Sequence, residues 1–229
     1  TYLYNNPLAS RGGITRRAWY SVPCCPSNLS RTLADLGKYI YSSDPGVLTV
    51  HQYISSEWDG SELSAGQAAC PGLQVRMTSE LPWQGRVTLQ ITGLPSDGSQ
   101  GASFALKLRQ PAWVENMAVT VNGEGVLEGD FRRFDASEIP SSGFDPTRAA
   151  FVPLPRTWSV GDLVEVIFDM PIQVRRAPQR VGACRGKVAL TRGPLVYCLE
   201  NPDNPGEDLF TVRLDVDSLQ TIDKPDLLG

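Results

Sequence analysis

The alternation of apolar and polar residues predicts that most of this chain is β-structure. From about residue 44 onward, apolar side chains recur at every second position in short segments, and Gly, Pro, Asn or Asp lies in the gaps. No helical stripe interrupts the series, so the pattern favours an antiparallel, jelly-roll-like β-sandwich over a parallel α/β sheet. The alternating sets are Leu48, Val50 and Gln52; Leu73, Val75 and Met77; Val87, Leu89 and Ile91; Phe104, Leu106 and Leu108; Val119 and Val121; and Val164, Val166, Phe168 and Met170.

One earlier segment has a helical period instead. Leu29, Leu33, Leu36 and Ile40 are spaced four, three and four residues apart, which predicts an amphipathic helix over residues 28–41. Ser27 and Asn28 are residue types that cap helix N-termini, and Pro26 suits a first helical turn. The period changes from 3.6 to 2 after an Asp-Pro-Gly turn at residues 44–46, which indicates a domain boundary near residue 44.

A second boundary is expected near residue 175, because the strand series pauses at Met170-Pro171 and a new β-segment is predicted to begin near Arg176. The predicted domains are therefore 1–43, a sandwich over 44–175, and an incomplete β-domain over 176–229. Strands of the last domain are predicted at Val188 and Leu190, at Leu195 to Leu199, and at Phe210, Val212 and Leu214.

Composition narrows the class of protein. The 229 residues are 41% hydrophobic and include 21 Gly and 18 Pro, which suits one or two globular domains rich in turns. A formal charge of −4 without a basic run argues against a nucleic-acid partner, and no apolar run approaches the length of a membrane span. The chain begins without a methionine and its opening resembles the middle of a domain, so it is expected to be a fragment.

Five cysteines, an odd number with two adjacent, do not form a recognisable disulfide framework. Thiols that are not oxidised favour a reducing compartment such as the cytoplasm. The remaining soft metal donors, His51, Cys70, Cys184 and Cys198, have no ligand-like spacing, so no complete metal site is expected within this chain. Cys70, Cys184 and Cys198 are interpreted as buried small residues, and His51 as a hydrogen-bonded or solvent-facing residue of a strand.

The most reactive candidate is the pair Cys24-Cys25. Adjacent cysteines rarely form an unstrained disulfide, and both residues lie just ahead of the predicted helix, where unpaired N–H groups favour a thiolate. Arg16, Arg17 and Arg31 would add positive charge. Each sulfur is therefore a candidate nucleophile or metal ligand, and the alternative is a pair of inert buried cysteines.

An ordered series of short motifs runs along most of the chain. In order, these motifs are Asn6-Pro7-Leu8-Ala9-Ser10, Arg16-Arg17, Trp19, Cys24-Cys25-Pro26-Ser27-Asn28-Leu29-Ser30-Arg31, Pro82-Trp83-Gln84-Gly85, Leu108-Arg109-Gln110-Pro111-Ala112-Trp113, Val121-Asn122-Gly123, Trp158-Ser159-Val160-Gly161-Asp162, and Arg192-Gly193-Pro194-Leu195-Val196-Tyr197-Cys198-Leu199-Glu200. The series resembles glycoside hydrolase family 127, the β-L-arabinofuranosidases and their relatives. One departure is Ser27, where the family commonly has a second proline.

The resemblance implies a fold, a cofactor and a reaction. The family has an (α/α)6 barrel followed by β-sandwich domains, so residues 1–43 would be the last loop and helix of the barrel. By the same resemblance, Cys24 would be the nucleophile, and Cys24 and Cys25 would both bind zinc with a glutamate and a third cysteine from upstream. A second upstream glutamate would be the acid/base. The implied activity is hydrolysis of β-L-arabinofuranosides with retention, on an arabinofuranose-containing oligosaccharide or glycoconjugate.

The upstream residues have no counterpart in this sequence, so the catalytic set is incomplete and the chain alone is expected to be inactive. Arg109, Trp113 and Glu200 are candidate sugar contacts, although strand-end packing and surface pairing explain them better. Trp19 is either a loop anchor or a sugar-binding ring. The alternative to an enzyme is a non-catalytic carbohydrate-binding or structural sandwich domain.

Overall fold

The computed structural model describes residues 10–11, 17–19, 21–22, 24–63, 66, 68–94, 101–129 and 150–222. Within these residues the chain forms one α-helix, four short 3-10 helices and thirteen strands, which confirms the prediction of a mainly β protein. The helices are α1 Cys24–Ala34 and the 3-10 turns Leu36–Tyr39, Gly182–Cys184, Asn201–Asp203 and Val216–Ser218. The strands are β1 Tyr41–Asp44, β2 Val47–Val50, β3 Ser56–Asp59, β4 Gln74–Ser79, β5 Arg86–Gly93, β6 Ala102–Gln110, β7 Met117–Val121, β8 Glu124–Gly129, β9 Ala150–Trp158, β10 Leu163–Phe168, β11 Ile172–Arg175, β12 Ala189–Arg192 and β13 Leu195–Tyr197.

Two sheets form the sandwich. A six-stranded sheet has the order β3-β4-β5-β10-β7-β8, and all of its pairs are antiparallel. A four-stranded sheet has the order β1-β2-β6-β9, in which β2 and β6 are parallel, so the expectation of purely antiparallel pairing is wrong at this pair. The reason is topological: β3, β4 and β5 belong to the opposite sheet, and the chain returns beside β2 after a crossover long enough for parallel pairing.

The core lies between the two sheets. One hydrophobic cluster contains inward side chains of both sheets, including Leu48, Leu106 and Trp158 from the smaller sheet and Leu89 and Val166 from the larger. These are side chains that the alternating pattern assigned to the interior, with the exception of Trp158. Strand β7 turns into β8 through Asn122 (φ 52°) and Gly123 (φ 82°), as expected for a tight Asn-Gly turn.

Several strands carry too weak a pattern to be predicted. Strands β1 and β3 are four residues long, with the sequences YSSD and SEWD. Strand β9 contains Pro153 and Pro155, yet its Val152 and Leu154 are buried. It lies at the edge of its sheet, where a proline costs no ladder hydrogen bond.

The third sheet corrects the C-terminal predictions. Strands β11, β12 and β13 pair antiparallel in that order, and the new sheet begins at Ile172, ahead of the predicted start near Arg176. The strand predicted at Phe210, Val212 and Leu214 is wrong, because no ladder forms there and the three side chains are exposed. Alternation alone does not make a strand where no partner strand accepts its hydrogen bonds. The domain boundaries themselves stay predictions.

The helix prediction over residues 28–41 is also wrong in its limits. Helix α1 begins four residues earlier, at Cys24, and ends at Ala34, after which the chain tightens into the 3-10 turn Leu36–Tyr39. Pro26 is tolerated because it lies in the first turn, where its missing N–H would have no helical acceptor. Gly37 disfavours continuation of the α-helix. No helix among the described residues is long and apolar enough to cross a membrane.

Candidate functional site

The first turn of α1 presents two sulfur atoms to solvent. Cys24 and Cys25 are both exposed, and their Sγ atoms lie 3.8 Å apart without a disulfide between them. This placement differs from the buried, inert pair that was the alternative interpretation. Because the helix begins at Cys24, both residues belong to the turn whose N–H groups have no helical acceptor and whose dipole favours negative charge.

Short-range hydrogen bonds order this turn. Ser27 Oγ donates to the carbonyl oxygen of Cys24 at 3.2 Å, and Ser30 Oγ donates to that of Pro26 at 2.9 Å. Ser27 and Asn28, which were predicted to cap the helix, lie inside it instead. Arg31 donates to Asn28 Oδ1 at 2.7 Å, so its guanidinium is held along the helix.

The remaining residues of the predicted loop are only partly within the described ranges. Arg17 and Trp19 are exposed, and 65% of the Trp19 surface is accessible, so this ring does not anchor the loop among the described residues. Arg16 lies outside the described residues, as do residues 1–9, which hold the first of the motifs. The helix itself has no buried residue, and Leu29 and Leu33 are 62% and 61% exposed.

The other soft donors lie apart from the cysteine pair. Cys70 is buried and donates to the carbonyl oxygen of Pro71, whereas Cys184 and Cys198 are exposed, which corrects the prediction that all three are buried. Cys198 contacts Glu200 at 3.8 Å. Among the described residues, no three His, Cys, Asp or Glu side chains come together to hold a metal ion.

His51 lies just after β2, at the junction between the helical segment and the sandwich. Its Nε2 is hydrogen-bonded to Ser42 Oγ at 2.8 Å, and its ring meets the edge of Phe151 at 5.6 Å, which confirms the hydrogen-bonded interpretation. Partial burial lowers the pKa of His51, and the positive charges of Arg109 and Lys107 lower it further. His51 therefore has a structural role beside the positive charges of Arg109 and Lys107. It is not part of the cysteine site.

Two of the candidate sugar contacts are engaged in packing. Tyr53 donates its hydroxyl hydrogen to the carbonyl oxygen of Arg109 at 2.7 Å, and Arg109 donates to Gln52 Oε1 at 3.3 Å. Burial raises the pKa of Tyr53, which keeps that hydroxyl protonated as a donor. Trp113 packs edge-on against Phe168 of the core at 5.7 Å. Packing explains Trp113 without a ligand, whereas Arg109 Nε is buried and has no hydrogen-bond partner among the described residues.

The structure adds one feature that residue-by-residue analysis missed. Trp83 is 60% exposed on the turn before β5, and Arg192 of the third sheet donates to its carbonyl oxygen at 2.7 Å. Beside this turn lies a groove of about 490 Å³ whose polar lining includes Glu80, Gln84 and Asp169 as well as Arg192. The only sequence signal was the motif Pro82-Trp83-Gln84-Gly85, which gave no hint of the ring's exposure.

Two family models match adjoining parts of the chain. The model described as "Beta-L-arabinofuranosidase, GH127 middle domain" matches residues 47–170. The model described as "Glycoside hydrolase family 127 C-terminal domain" matches residues 172–223. Together they cover the third sheet and all of the sandwich except strand β1.

Similar proteins agree with these matches. A non-reducing end beta-L-arabinofuranosidase of Bifidobacterium longum subsp. longum is 34% identical over 204 residues, which are 86% of this chain and 26% of that protein. The crystal structure of a GH127 beta-L-arabinofuranosidase from Geobacillus stearothermophilus T6 has a TM-score of 0.63 at 34% identity, covering 82% of this chain and 26% of that one. A solved GH127 beta-arabinofuranosidase has a TM-score of 0.68 at 29% identity, covering 88% and 30%. The chain thus spans about a quarter of the length of the relatives it matches.

Proposed function

Because the chain belongs to glycoside hydrolase family 127, we propose that it is part of a retaining β-L-arabinofuranosidase in which Cys24 is the nucleophile. The observation that carries this proposal is the pair of exposed sulfur atoms at the start of α1, 3.8 Å apart. A helix N-terminus favours the thiolate, which is the reactive form of cysteine. An exposed pair in this position is suited to chemistry on a bound ligand.

The reaction proceeds in two displacements at one carbon. Cys24 Sγ attacks the anomeric carbon of the arabinofuranoside, and the bond to the leaving oxygen breaks as an acid donates a proton to that oxygen. Water then attacks the same carbon as the conjugate base of that acid takes a proton from it, and the sulfur leaves as thiolate. Each displacement inverts the configuration, so the sugar is released with retention. The acid/base belongs to a part of the enzyme other than the described residues.

The same two sulfurs fit a zinc ion. Two thiolates bound to one tetrahedral zinc, each at about 2.3 Å, lie about 3.8 Å apart. Cys24 and Cys25 have this separation, and both are accessible. Zinc bound there would keep the sulfur deprotonated and limit its charge. Two further ligands must come from another part of the protein, since the described residues bring no third donor to the pair.

We further propose that α1 is the last helix of the family's (α/α)6 barrel. Its apolar side chains Leu29 and Leu33 are accessible to solvent, although their spacing is that of a helix that packs on neighbours. Helices of a barrel would cover this stripe. The substrate would then be bound mainly by that barrel, as an arabinofuranose-containing oligosaccharide or glycoconjugate.

Replacement of the proposed nucleophile tests this function. In the full-length enzyme, Cys24→Ser is expected to lower kcat by at least about 10³-fold, because the hydroxyl is a far weaker nucleophile at neutral pH. Cys25→Ser is expected to lower the zinc content measured by atomic absorption. The matched control is Cys198→Ser, another exposed cysteine, which should retain wild-type turnover and metal content. Wild-type turnover of Cys24→Ser would refute the assignment.

The groove beside Trp83 favours a second candidate function, an accessory carbohydrate-binding domain. The indole of Trp83 is exposed, and the groove beside its turn is lined by amide and carboxylate groups, which is a surface on which a sugar ring can stack and form hydrogen bonds. Trp83→Ala should weaken binding of an arabino-oligosaccharide about tenfold in isothermal titration calorimetry. The control is Tyr39→Ala, which removes an equally exposed ring from the 3-10 turn after α1. Unchanged affinity of Trp83→Ala would remove this candidate.

A further inference from the structure

Positive charge is concentrated in one part of the chain. Residues 170–199 contain six of the 21 basic residues and none of the 25 acidic ones, whereas the protein as a whole has a net charge of −4. Five of the six basic residues lie in the basic loop, residues 175–187, which connects β11 to β12. The charges do not form a contiguous basic run, because Ala, Pro, Gln, Val, Gly and Cys lie between them.

The basic loop is folded and lies beside a cavity. Four successive backbone hydrogen bonds turn the chain: Val181 to Pro178, Cys184 to Val181, Arg185 to Gly182 and Lys187 to Cys184, each with the first residue donating. Gly186 adopts φ 73°, a conformation that glycine allows at little cost. The loop lines one side of a half-open, solvent-accessible cavity of about 400 Å³, whose lining includes Arg176, Arg185, Lys187, Gln179 and Cys184.

Within the described chain, the cations of the basic loop have no ion pair with an acid, in contrast to several basic residues elsewhere. Lys38, Arg76 and Arg86 each lie within 4 Å of a carboxylate. Among the described residues, no carboxylate comes within that distance of Arg176, Arg180, Arg185 or Lys187, and Arg175 donates to the neutral amide of Gln173. Like charges held close together repel, and an anion in the cavity would remove that cost.

We propose that this cavity is an oxyanion-binding site. Two guanidinium groups and an ammonium group around one cavity match the geometry of carboxylate, phosphate or sulfate, since arginine can donate two parallel hydrogen bonds to such groups. Two sources share this chemistry: a uronate carboxylate on an acidic glycan, and a free inorganic oxyanion. The glycan source rests on the proposed function, because it would hold a charged polysaccharide to the enzyme that removes its arabinofuranosyl groups.

Binding measurements on the full-length enzyme test the site independently of catalysis. The probes are an oligogalacturonate and inorganic phosphate, titrated calorimetrically at low and at physiological salt, with a neutral arabino-oligosaccharide for comparison. The test variant is Arg176→Gln/Arg185→Gln/Lys187→Gln. Its control is Lys38→Gln/Arg76→Gln/Arg156→Gln, which makes the same change in net charge at exposed positions elsewhere.

We expect at least a tenfold loss of anion affinity in the test variant, less than a twofold loss in the control, and weaker binding to the wild type at higher salt. Binding of the oligogalacturonate would assign the glycan source, and binding of phosphate alone would assign the inorganic one. The site is overturned if neither anion binds, or if the control loses as much affinity as the test variant. Cys24 does not line the cavity, so Cys24→Ser is expected to leave anion binding unchanged, and failure of the site and failure of the proposed nucleophile are distinguishable.

Discussion

The β-sandwich and helix α1 bury their apolar side chains to very different extents. In the sandwich, Leu48, Leu89 and Trp158 are completely inaccessible, and inward residues of both sheets form one cluster. In α1 no residue is buried, although Leu29 and Leu33 have the spacing of a packed helix. The difference shows that a hydrophobic pattern specifies a packed element only where a partner surface is also present. In the sandwich, each sheet supplies the surface that covers the other. Helix α1, which carries the proposed nucleophile, has an apolar stripe that no described residue covers.

The junction between the two regions belongs to the sandwich. Backbone N–H groups of His51 and Gln52 both donate to the carbonyl oxygen of Ile40, at 2.8 and 3.3 Å. Ile40 is itself buried in the core cluster. Ile40, the last apolar residue of the helical stripe, is therefore fixed to the sandwich. Leu33 and Leu29, which lie nearer the cysteines, are exposed. This gradient supports the proposal that another part of the enzyme packs against α1.

The largest effect is expected from a pair of truncations, one in each region. Trp158→Ala removes a completely buried ring that donates its indole N–H to Phe104 O at 3.1 Å, so it should lower the free energy of unfolding by about 3–5 kcal/mol. Leu33→Ala, at an exposed position, should change it by no more than about 0.5 kcal/mol. Urea unfolding of this chain, followed by circular dichroism, gives both values.

The same two substitutions can contradict the difference in packing between the sandwich and helix α1. A loss of more than about 1 kcal/mol in Leu33→Ala would mean that the helix stripe is covered within this chain. A small effect of Trp158→Ala would mean that the sandwich core is not the main source of stability.

The sandwich was the most predictable part of the molecule. Inward positions such as Val87, Leu89 and Ile91 follow directly from the two-residue period of a strand, because one face of each sheet is buried. Sheet order does not follow from this period, so the parallel pairing of β2 with β6 was missed. Strand β9 was missed because its prolines are permitted only by its place at a sheet edge, which the local sequence does not reveal.

The sequence predicted which residues form the candidate site, but it predicted their geometry less well. The adjacent cysteines are conspicuous in the sequence, but the helix begins at Cys24 instead of after Ser27, which moves both sulfurs into the first turn. Their exposure and their 3.8 Å separation depend on the backbone path. Trp83 and the basic loop were not recognised as sites because the exposure of the ring and the position of the loop at a cavity are tertiary properties. Neither is encoded in residue spacing.

A smaller effect is expected at the junction, where His51 titrates. Burial lowers the pKa of this side chain below its usual value of about 6.5, and Arg109 and Lys107 lower it further. Because the folded-state pKa is lower, the unfolded chain binds the proton more readily. Stability is therefore full above about pH 6.5 and declines as the pH falls toward the folded-state value. His51→Gln should remove this part of the pH dependence of unfolding.

The protein contains a single histidine, so a proton NMR titration of its ring reports on this site without assignment. We expect a pKa below 6.5 in the wild type and a higher value in Lys107→Gln, since removing a nearby positive charge makes protonation easier. Arg76→Gln, which removes a charge from the other sheet, is the matched control and should leave the titration unchanged. A wild-type pKa at or above 6.5 would indicate that His51 is solvated like a residue of the exposed helix. The contacts of His51 with Ser42 and Phe151 would then not keep the ring partly desolvated, and the packed part of the junction would be limited to Ile40.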